Sequence, residues 1–470
     1  MGSISQTAGI FNIKRIAVVG AGPCGLAAAK YLLAEKAFST IDIFEQQAEI
    51  GGVWNYTPSL TERVPVPQTT PWAPLEKPTW PKGAPAPIFS NPMYETLNTN
   101  IPKPLMQFSD QDFPEDSLLF PSRQDVQAYL VKYSQDIRHL ISLSTQVENV
   151  MLSQENGQDL WTLVAKSTIT GERTTKEYDA VCVANGHYSV PWIPDVPGIK
   201  EFHAAHPSII SHSKVYRSPE GFTDKKVVVC GNAASGSDIA NQISAVCKKP
   251  LLNSINGPST FQLPVGGVVK EEVPKIVEYI VEGRAVKFED GRVERNIDAI
   301  VYATGYLYSF PFLKSLDPPI ITTGRRAMGL YKQIFCINHP TLVFAALGQK
   351  IIPFPFAEAQ GAAIAKVWSN TLALSSKDEM EAWEKGRVEE LGDGTAFHVL
   401  GYPKDAAYIN YLYDWVQGAN NGFAKVPPFW DERLCWLREI CVDIRRKFAE
   451  DGMKAKSLED LGFRFEKSDH

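Results

Sequence analysis

Residues 14–56, KRIAVVGAGPCGLAAAKYLLAEKAFSTIDIFEQQAEIGGVWNY, contain the stretch that decides the fold. The apolar run Ile16–Val19 predicts a buried parallel strand, Leu26–Ala34 a helix, and Thr40–Phe44 a second strand that ends at Glu45. Between the first strand and the helix lies the glycine-rich turn GAGPCG, residues 20–25. This order is typical of a βαβ unit whose turn sits at a helix N-terminus, where free backbone N–H groups bind phosphate.

The residues of the turn have separate expected roles. Gly20 allows the tight turn, Gly22 lets the backbone approach a pyrophosphate, and Gly25 lets helix and strand pack closely. Glu45, twenty residues after Gly25, is placed to bind a pair of ribose hydroxyls. The pattern therefore predicts a dinucleotide site; a glycine-rich turn without a ligand is the alternative, and it leaves Glu45 unexplained. The GGVWNY that follows, residues 51–56, indicates either backbone close to a flat ligand or a hydrophobic turn.

Bulk composition excludes several classes of protein. The 470 residues suffice for two or three domains, and 44% hydrophobic with 21% charged residues is ordinary for a soluble enzyme. A net charge of −6 without a basic block disfavours nucleic acid as a partner. Seven scattered cysteines without CxxC argue against a disulfide framework, a metal site or a dithiol redox centre. With no membrane-length apolar run and no secretory signal, a cytoplasmic protein with no membrane partner is expected.

Residues 57–104 are proline-rich, with twelve prolines in that stretch. Such a segment cannot form a helix or a central strand, yet it is too aromatic for a disordered linker. We expect a long ordered loop that covers a neighbouring surface and helps to build a site. Asn100, near its end, has either an amide that points into a cavity or the ordinary role of a turn residue.

The middle of the chain predicts a helix and then a small antiparallel meander. The helix covers residues 120–137, with Ser122 as N-cap and Asp125 at position N3. Period-two alternation from residue 146 to 179 predicts three strands, joined by turns at Asn156-Gly157 and Thr170-Gly171.

A second βαβ pattern follows at residues 227–244, VVVCGNAASGSDIANQIS. Its turn contains Gly231, Ser235 and Gly236, but Ala233 replaces the second glycine of the pattern. Two such units suggest two nucleotides; a doubly wound domain without a second ligand is the alternative. Further strand-turn patterns occur at residues 297–313 and 342–368, the latter with Gln360 on its helix, and residues 371–470 read as mostly helical.

These patterns together predict an α/β fold with two Rossmann-like dinucleotide-binding domains, a small antiparallel β meander and a helical C-terminal region. The predicted boundaries are 1–205 for the first part of one domain, 206–315 for the second domain, and 316–470 for the remainder of the first domain with the helical region. The first part includes the proline-rich cover, 57–104, and the meander, 146–179.

The motifs, in their order, resemble those of class B flavin-dependent monooxygenases, in particular the flavin-containing monooxygenases of the soluble microbial or fungal type. The resemblance extends from Arg15 to about Tyr413. It rests on IAVVGAGPCGLAAAKYL with FEQQAEIGGVW, and on YETLNTNIPK, ANGHYSVPWIP, HSKVYR, VVVCGNAASGSDIA, YATGY and PFAEAQ. It implies a glutathione-reductase-like arrangement, with FAD at the first glycine turn and NADPH at the second.

The resemblance also implies roles for individual residues. The catalytic residue is Asn100, whose amide lies by the flavin C4a edge, and Gln360 lies near the isoalloxazine. Tyr216, where related Baeyer–Villiger enzymes typically have Trp, favours oxygenation of a heteroatom. Asn256 stands where many relatives have an arginine for the 2′-phosphate, so that Ser254 or the Lys248-Lys249 pair is left to supply part of that contact. The expected cofactor-binding residues are Gly20, Gly22, Pro23, Cys24, Gly25, Glu45, Gln46, Gly52, Val53, Trp54, Thr99, Asn100, Val147, His212, Tyr216, Gly231, Ala233, Ser235, Gly236, Ser254, Thr304 and Gln360.

The activity that the resemblance implies uses NADPH and molecular oxygen, as in enzymes of the N,N-dimethylaniline monooxygenase type. A C4a-hydroperoxyflavin transfers one oxygen atom to a small-molecule substrate with a nucleophilic nitrogen or sulfur, for instance a secondary metabolite. The alternatives are a Baeyer–Villiger oxygenase acting on ketones and an NADPH oxidase or other non-oxygenating flavoprotein. A homodimer stays open on sequence grounds.

Overall fold

The computed structural model describes residues 11–58, 63–257, 269–419 and 421–467. The strands of this part are β1 Arg15–Val19, β2 Thr40–Phe44, β3 Ile141–Ser142, β4 Thr145–Glu155, β5 Gln158–Ser167, β6 Arg173–Tyr178, β7 Ala180–Val183, β8 Val190–Pro191, β9 Ile210–His212, β10 Val227–Cys230, β11 Leu251–Ser254, β12 Lys270–Val273, β13 Ile276–Ile280, β14 Ala285–Phe288, β15 Val293–Glu294, β16 Ala299–Tyr302, β17 Tyr306–Leu307, β18 Leu330–Tyr331, β19 Phe335–Cys336 and β20 Leu342–Phe344. The α-helices are α1 Pro23–Ala34, α2 Lys103–Met106, α3 Arg123–Tyr133, α4 Ile199–Ala205, α5 Ala234–Val246, α6 Pro353–Trp368, α7 Lys377–Leu391, α8 Lys404–Gln417, α9 Glu432–Glu439 and α10 Cys441–Glu450. None of the helices in these ranges has the length and apolar content needed to cross a membrane.

A seven-stranded sheet forms the first half of the fold, in the order β18-β19-β20-β7-β1-β2-β3. Strand β1 lies between β2 and β7 and pairs in parallel with both, so it is buried on both faces, as its continuous apolar run predicts. Helices α1 and α6 cover one face and lie so close that a Cβ on Gly361 would come within 3.1 Å of the Ala28 Cα. The meander covers the other face through Trp161 and Leu163.

The second sheet is parallel, in the order β12-β11-β10-β16-β9, and it contains the second βαβ unit. Its strand β10 is buried throughout and leads through a turn into α5. A small antiparallel sheet, β13-β14-β15, packs beside it. Two Rossmann-like units with an antiparallel meander and a helical C-terminal region confirm the predicted fold class.

Two chain crossings join the halves, and they run side by side as the antiparallel ribbon β8-β17. Ile199 and Phe202 on α4 pack into the core of the second sheet, whereas Phe312 packs with the meander. We therefore propose that the domain boundaries lie at this ribbon, a little before the predicted residues 206 and 315.

Local predictions hold in most elements and shift at some ends. Ser122 caps α3 in a capping box, with its Oγ accepting from the Asp125 N–H and the Asp125 carboxylate accepting from the Ser122 N–H. The three predicted strands form the sheet β4-β5-β6, with left-handed Asn156 and Gly157 at the first turn. The first helix, α1, begins at Pro23, three residues earlier than predicted, because proline is well tolerated at a first helical position.

The described residues of the proline-rich segment form an ordered cover, as predicted. Its described residues before α2 form no helix or strand, only isolated bridges such as Gln68 with Ile193 and Asn98 with Ser122. Tyr94 of this segment donates a hydrogen bond to Asp238 on α5, and Thr57 donates to the Phe89 carbonyl. Hydrogen bonds thus join the proline-rich cover to α5 in the second half of the fold, and also join separate parts of the cover to each other.

Candidate functional site

One large cleft, with a volume of about 1250 Å³, lies between the two sheets. Its walls come from the first glycine turn, the end of β2, the proline-rich cover, the start of α5 and the C-terminal helix α10. Most of the residues predicted to bind the first cofactor line it, namely Gly20, Gly22, Pro23, Cys24, Glu45, Gln46, Gly52, Val53, Trp54, Thr99, Asn100 and Val147. Residues that are up to 127 positions apart in the sequence thereby meet in one site.

The first glycine turn leaves no room for side chains at its ends. A Cβ on Gly20, whose φ is +108°, would approach the Ala184 carbonyl oxygen to 2.6 Å. A Cβ on Gly25 would approach the Gly20 carbonyl oxygen to 1.9 Å, which explains why Gly25 does not itself line the cleft. Gly25 serves the packing of α1 on β1, as predicted from its position.

Gly22 and Gly52 face each other across a narrow gap. A Cβ on Gly52 would lie 3.0 Å from the Gly22 Cα, and a Cβ on Gly22 would lie 3.5 Å from the Gly52 Cα. Both residues line the cleft, so bare backbone from two loops forms one cradle. This cradle, at the N-terminus of α1, fits the pyrophosphate of a dinucleotide, because a side chain at either position would fill it.

Glu45 lies at the end of β2 and is buried. One carboxylate oxygen accepts a hydrogen bond of 2.9 Å from the Ala21 N–H, and the other accepts one of 2.8 Å from the Gln47 N–H. Burial raises the pKa of Glu45, while these N–H groups act in the opposite direction. Glu45 therefore holds the glycine turn in shape, and its remaining lone pairs are available to ribose hydroxyls.

Several buried polar atoms beside the cleft have no hydrogen-bond partner among the residues that the structure describes. They are the Ser90 hydroxyl, the Asn185 Oδ1 and both ring nitrogens of His187, and all three residues line the cleft. Burial lowers the pKa of His187 to about 4, so its ring is neutral at pH 7. Because an unsatisfied buried polar group costs about 1–3 kcal/mol, such a cluster fits a site completed by a bound polar ligand. The residues present thus fit a flavin dinucleotide, and sequence reasoning missed these three.

Asn100 is exposed to the cleft, where the sequence placed it. Its neighbour Thr99 is buried, with its N–H donating to the Pro121 carbonyl and its hydroxyl to the Ile101 carbonyl. The thiol of Cys441 on α10 lies 3.7 Å from the Asn100 carbonyl oxygen. The sequence did not predict that helix α10 forms a wall of the cleft, because it contains no motif that distinguishes such a helix from one that only packs against the core.

The second glycine turn repeats the geometry of the first. A Cβ on Gly231 would approach the Ala303 carbonyl oxygen to 2.5 Å, and a Cβ on Gly236 would approach the Gly231 carbonyl oxygen to 2.5 Å. Ala233 is the N-cap of α5, and Ser235 lines the cleft. The start of α5 thus presents N–H groups to the same cleft, as a second dinucleotide requires.

The structure does not support the residues that were predicted to replace the arginine with which many relatives bind the 2′-phosphate of NADPH. The hydroxyl of Ser254 donates to the Pro274 carbonyl at 3.0 Å and is buried. Lys248 and Lys249 precede β11, whereas a nucleotide binds at the carboxyl ends of parallel strands. The lysine pair therefore lies at the wrong end of the strand for this role.

Predicted contacts that lie outside the cleft walls of the described chain are, besides Gly25, the residues Gly231, Ala233, Gly236, Ser254, His212, Tyr216, Thr304 and Gln360. Gln360 is fully buried, its amide oxygen accepting from the Ala346 N–H at 2.7 Å and its amide nitrogen donating to the Tyr408 hydroxyl at 3.0 Å. The predicted position of Gln360 near an isoalloxazine stays a prediction: Gln360 does not line the cleft, but its hydrogen-bond partner Ala346 does.

His212, Tyr216 and Thr304 connect structural segments. The Nε2 of His212 lies 3.1 Å from the Gly305 carbonyl oxygen, and its Nδ1 accepts from the Lys214 N–H at 3.0 Å. Burial lowers the pKa of His212 to about 3, so the ring is neutral and donates through Nε2. Thr304 donates to the Trp192 carbonyl, and Tyr216 donates to the Gln242 side chain at 3.0 Å. These bonds join segments of the second half to one another and, through Trp192, to the crossing that leads into it.

Comparisons with known proteins agree with this geometry. Residues 90–263 and 262–421 match the family described as flavin-binding monooxygenase-like, and residues 18–68 match the NAD(P)-binding Rossmann-like domain. The chain therefore belongs to the flavin-binding monooxygenase-like family. These matches confirm the predicted cofactors, FAD and NADPH.

Particular relatives place the chain within the family. A thiol-specific monooxygenase of Saccharomyces cerevisiae is 33% identical over 90% of each chain, and flavin-containing monooxygenase iboF of Amanita muscaria is 29% identical over 87% of this chain and 88% of its own. The solved S-allyl-L-cysteine S-oxygenase from Allium sativum superposes with a TM-score of 0.75 at 27% identity, covering 95% of this chain and 96% of its own. The protein is thus a flavin-containing monooxygenase by family.

Proposed function

We propose that this protein is an NADPH- and O2-dependent monooxygenase that transfers one oxygen atom to a nucleophilic sulfur or nitrogen of a small molecule, with sulfur preferred. The observation that carries the proposal is one cleft lined by the first glycine turn, by Ala234 and Ser235 at the start of α5, and by Asn100. Two relatives that are similar over at least 90% of each chain are named for thiols or for S-allyl-L-cysteine, which supports the preference for sulfur. We also propose a cytoplasmic location.

The bound cofactors supply the redox chemistry, the activation of oxygen by reduced FAD. The residues of this chain position the cofactors and the substrate and enclose them in the cleft. The Gly22–Gly52 cradle and Glu45 hold one dinucleotide, and the start of α5 holds the other. The carboxamide of Asn100 offers both a donor and an acceptor in the cleft, so it can orient the reacting groups.

Exclusion of water is the other task of the protein. The proline-rich cover and α10 both form cleft walls, and the apolar residues Leu97, Ile101 and Val442 are among them. A dry cleft keeps activated oxygen from being lost to solvent before it reaches the substrate. A substrate with a lone pair on sulfur or nitrogen needs no protein base, so the neutral ring of His187 is compatible with this chemistry.

The test is a substrate panel with purified holoenzyme, containing thiols, thioethers, tertiary amines and cyclic ketones. We expect sulfur compounds to gain the mass of one oxygen atom, with one NADPH consumed for each product formed. NADPH consumption that yields only hydrogen peroxide would contradict the oxygenase proposal. Conversion of ketones to lactones, without sulfoxidation, would favour the Baeyer–Villiger alternative.

A further inference from the structure

Helix α10 brings a cation into the cleft on the same side as Asn100. Val442 and Arg445 of this helix both line the cleft. Cys441 contacts the Asn100 carbonyl oxygen, and Arg445 lies one helical turn further on, on the same face of the helix. The Arg445 backbone is therefore about one turn, roughly 6 Å along the helix, from that of Cys441, which contacts the candidate catalytic residue.

Within the described residues, the guanidinium of Arg445 has no hydrogen-bond or ion-pair partner. No carboxylate oxygen lies within 4.0 Å of it, and its Nη1 is shielded from water without a hydrogen bond. Burial lowers the pKa of Arg445. The next residue shows the contrast, because Arg446 is exposed and pairs with Asp443 at 2.6 Å. A partly desolvated guanidinium without an anion is costly unless a ligand supplies one.

Two aromatic rings fix the position of this cation. The guanidinium carbon lies 5.1 Å from the centroid of Phe120 and 5.5 Å from that of Phe448, and the two rings are 4.9 Å apart. Such cation–π contacts orient the planar group before a ligand arrives. Little side-chain entropy then remains to be lost on binding, which favours bidentate recognition of a planar anion.

The nearest acidic group indicates which anion fits. Asp238 on α5 attracts Arg445 from beyond ion-pair distance and already accepts hydrogen bonds from Tyr94 and from Gln242, the latter at 3.2 Å. Asp238 follows the phosphate-binding start of α5, so its charge disfavours a dianionic pyrophosphate between it and Arg445. A single carboxylate meets less repulsion there.

We propose that Arg445 binds a carboxylate of the substrate, so that the preferred substrates are thiols or thioethers that carry a carboxylate group. The inference rests on the proposed function and narrows its substrate class. Arg445 acts as a specificity-determining residue: it anchors one end of the substrate by two parallel N–H···O bonds while the sulfur lies toward Asn100.

The test compares two probes that differ only in charge, 3-(methylthio)propanoate and 3-(methylthio)propanamide. Binding of each to the holoenzyme with NADP⁺ is measured by calorimetry, without turnover. We expect wild type to bind the acid about tenfold or more tightly than the amide. Arg445→Gln should abolish this preference while leaving the affinity for the amide unchanged. Arg446→Gln, the matched control, should keep the wild-type preference.

Three results would overturn the proposal. Wild type could bind acid and amide equally, Arg445→Gln could keep the preference for the acid, or Arg445→Gln could weaken NADP⁺ with no effect on the two probes, which would assign the guanidinium to a cofactor phosphate. Arg445→Lys retains the positive charge but lacks the two parallel N–H donors of a guanidinium, so it should keep part of the preference for the acid. It replaces Arg445→Gln if that variant does not retain flavin. The charge preference depends only on these binding measurements, which involve no turnover. Absence of any oxygenated product in the substrate panel would contradict the proposed function without deciding the charge preference.

Discussion

At the scale of single residues, the cradle between Gly22 and Gly52 gives the sharpest prediction. Gly52→Ala would place a methyl group 3.0 Å from the Gly22 Cα and would also strain a backbone with φ of +56°. We expect the dissociation constant for FAD to rise by about tenfold or more, equivalent to roughly 1.4 kcal/mol. Flavin content after dialysis and titration of the apoprotein with FAD measure this effect.

Gly83→Ala is the matched control for backbone strain. Its φ is +78°, and a Cβ there would meet nothing within 4 Å. We expect it to lose about 1 kcal/mol of stability with unchanged FAD affinity. Equal loss of FAD in both variants would show that strain, not closure of the cradle, is responsible.

Asn100 carries the prediction about chemistry. Asn100→Ala removes the carboxamide that is exposed to the cleft but leaves the backbone contact with Cys441. We expect normal flavin content and a loss of product formation of roughly 100-fold, the usual effect of removing a preorganised hydrogen-bond donor. Product and hydrogen peroxide are quantified in parallel. A variant that still couples NADPH consumption to product would show that Asn100 has no such role.

Sequence reasoning located the residues whose roles depend on local backbone. Gly20, Gly25 and Glu45 could be found because a βαβ turn fixes their geometry within thirty residues. The hydrogen bonds of the Gln360 amide could not be predicted, because they involve Ala346 and Tyr408, which belong to other segments. Arg445 was not found, because its environment is assembled from Phe120, Phe448 and α5.

At the scale of elements, helix α3 supports the flavin cradle from behind. The amide nitrogen of Gln127 donates to the Ile50 carbonyl at 2.5 Å and to the Asn55 side chain at 2.7 Å. These two bonds hold the loop that contains Gly52. Gln127→Ala should therefore weaken FAD binding by about fivefold, since each hydrogen bond contributes about 1 kcal/mol and the loop relaxes in part. FAD titration of the apoprotein checks this, and an unchanged affinity would contradict the support role.

The capping boxes of α3 and α7 separate support of the cradle from general helix stability. Ser122→Ala and Ser376→Ala each remove an N-cap that accepts from the third residue of its helix. Each should lower the free energy of unfolding by about 1 kcal/mol. Only Ser122→Ala should also weaken FAD binding, because α3, and not α7, carries the Gln127 hydrogen bonds to the loop that contains Gly52. Equal effects on FAD would mean that α3 acts through overall stability.

Most elements could be predicted because their patterns are local. Capping residues, alternating strands and glycine turns all depend on neighbours in sequence. The role of α10 could not be predicted, because its buried Cys441, Ile444 and Phe448 are those of any amphipathic packing helix. Only its position over the cleft distinguishes it.

At the scale of the whole molecule, one buried carboxyl group links distant segments. Glu358 on α6 accepts hydrogen bonds from the Ser109 N–H at 2.8 Å and hydroxyl at 2.7 Å, and the Lys425 ammonium lies 3.9 Å away. Tyr31 on α1 lies 3.4 Å from it, and the carboxylate of Asp110 is also near. Burial raises the pKa of Glu358 from 4.5 to about 7.

This shift predicts how stability changes with pH. Between about pH 4.5 and 7 the folded state binds more protons at Glu358 than the unfolded state, so the Glu358 contribution to the free energy of unfolding falls as pH rises through that window. Glu358→Gln cannot ionise. Its free energy of unfolding relative to wild type should therefore increase from pH 5 to pH 8 by an amount on the order of 2 kcal/mol, seen as a rise in its relative melting temperature.

Glu389→Gln provides the comparison for this pH series. Glu389 is exposed on α7 and pairs only weakly with Lys385, at 3.9 Å. Its melting temperature relative to wild type should stay constant over the same range. A flat difference for Glu358→Gln as well would show that Glu358 titrates in its ordinary range.

The ribbon β8-β17 has a mechanical consequence. Both covalent connections to the second sheet pass through it, and they are bonded to each other, with Tyr306 opposite Pro191 and Leu307 opposite Val190. Two strands bonded along their length resist sliding but bend together. We therefore expect the ribbon to act as a hinge about one axis, so that the half containing the second sheet swings relative to the first glycine turn rather than sliding past it.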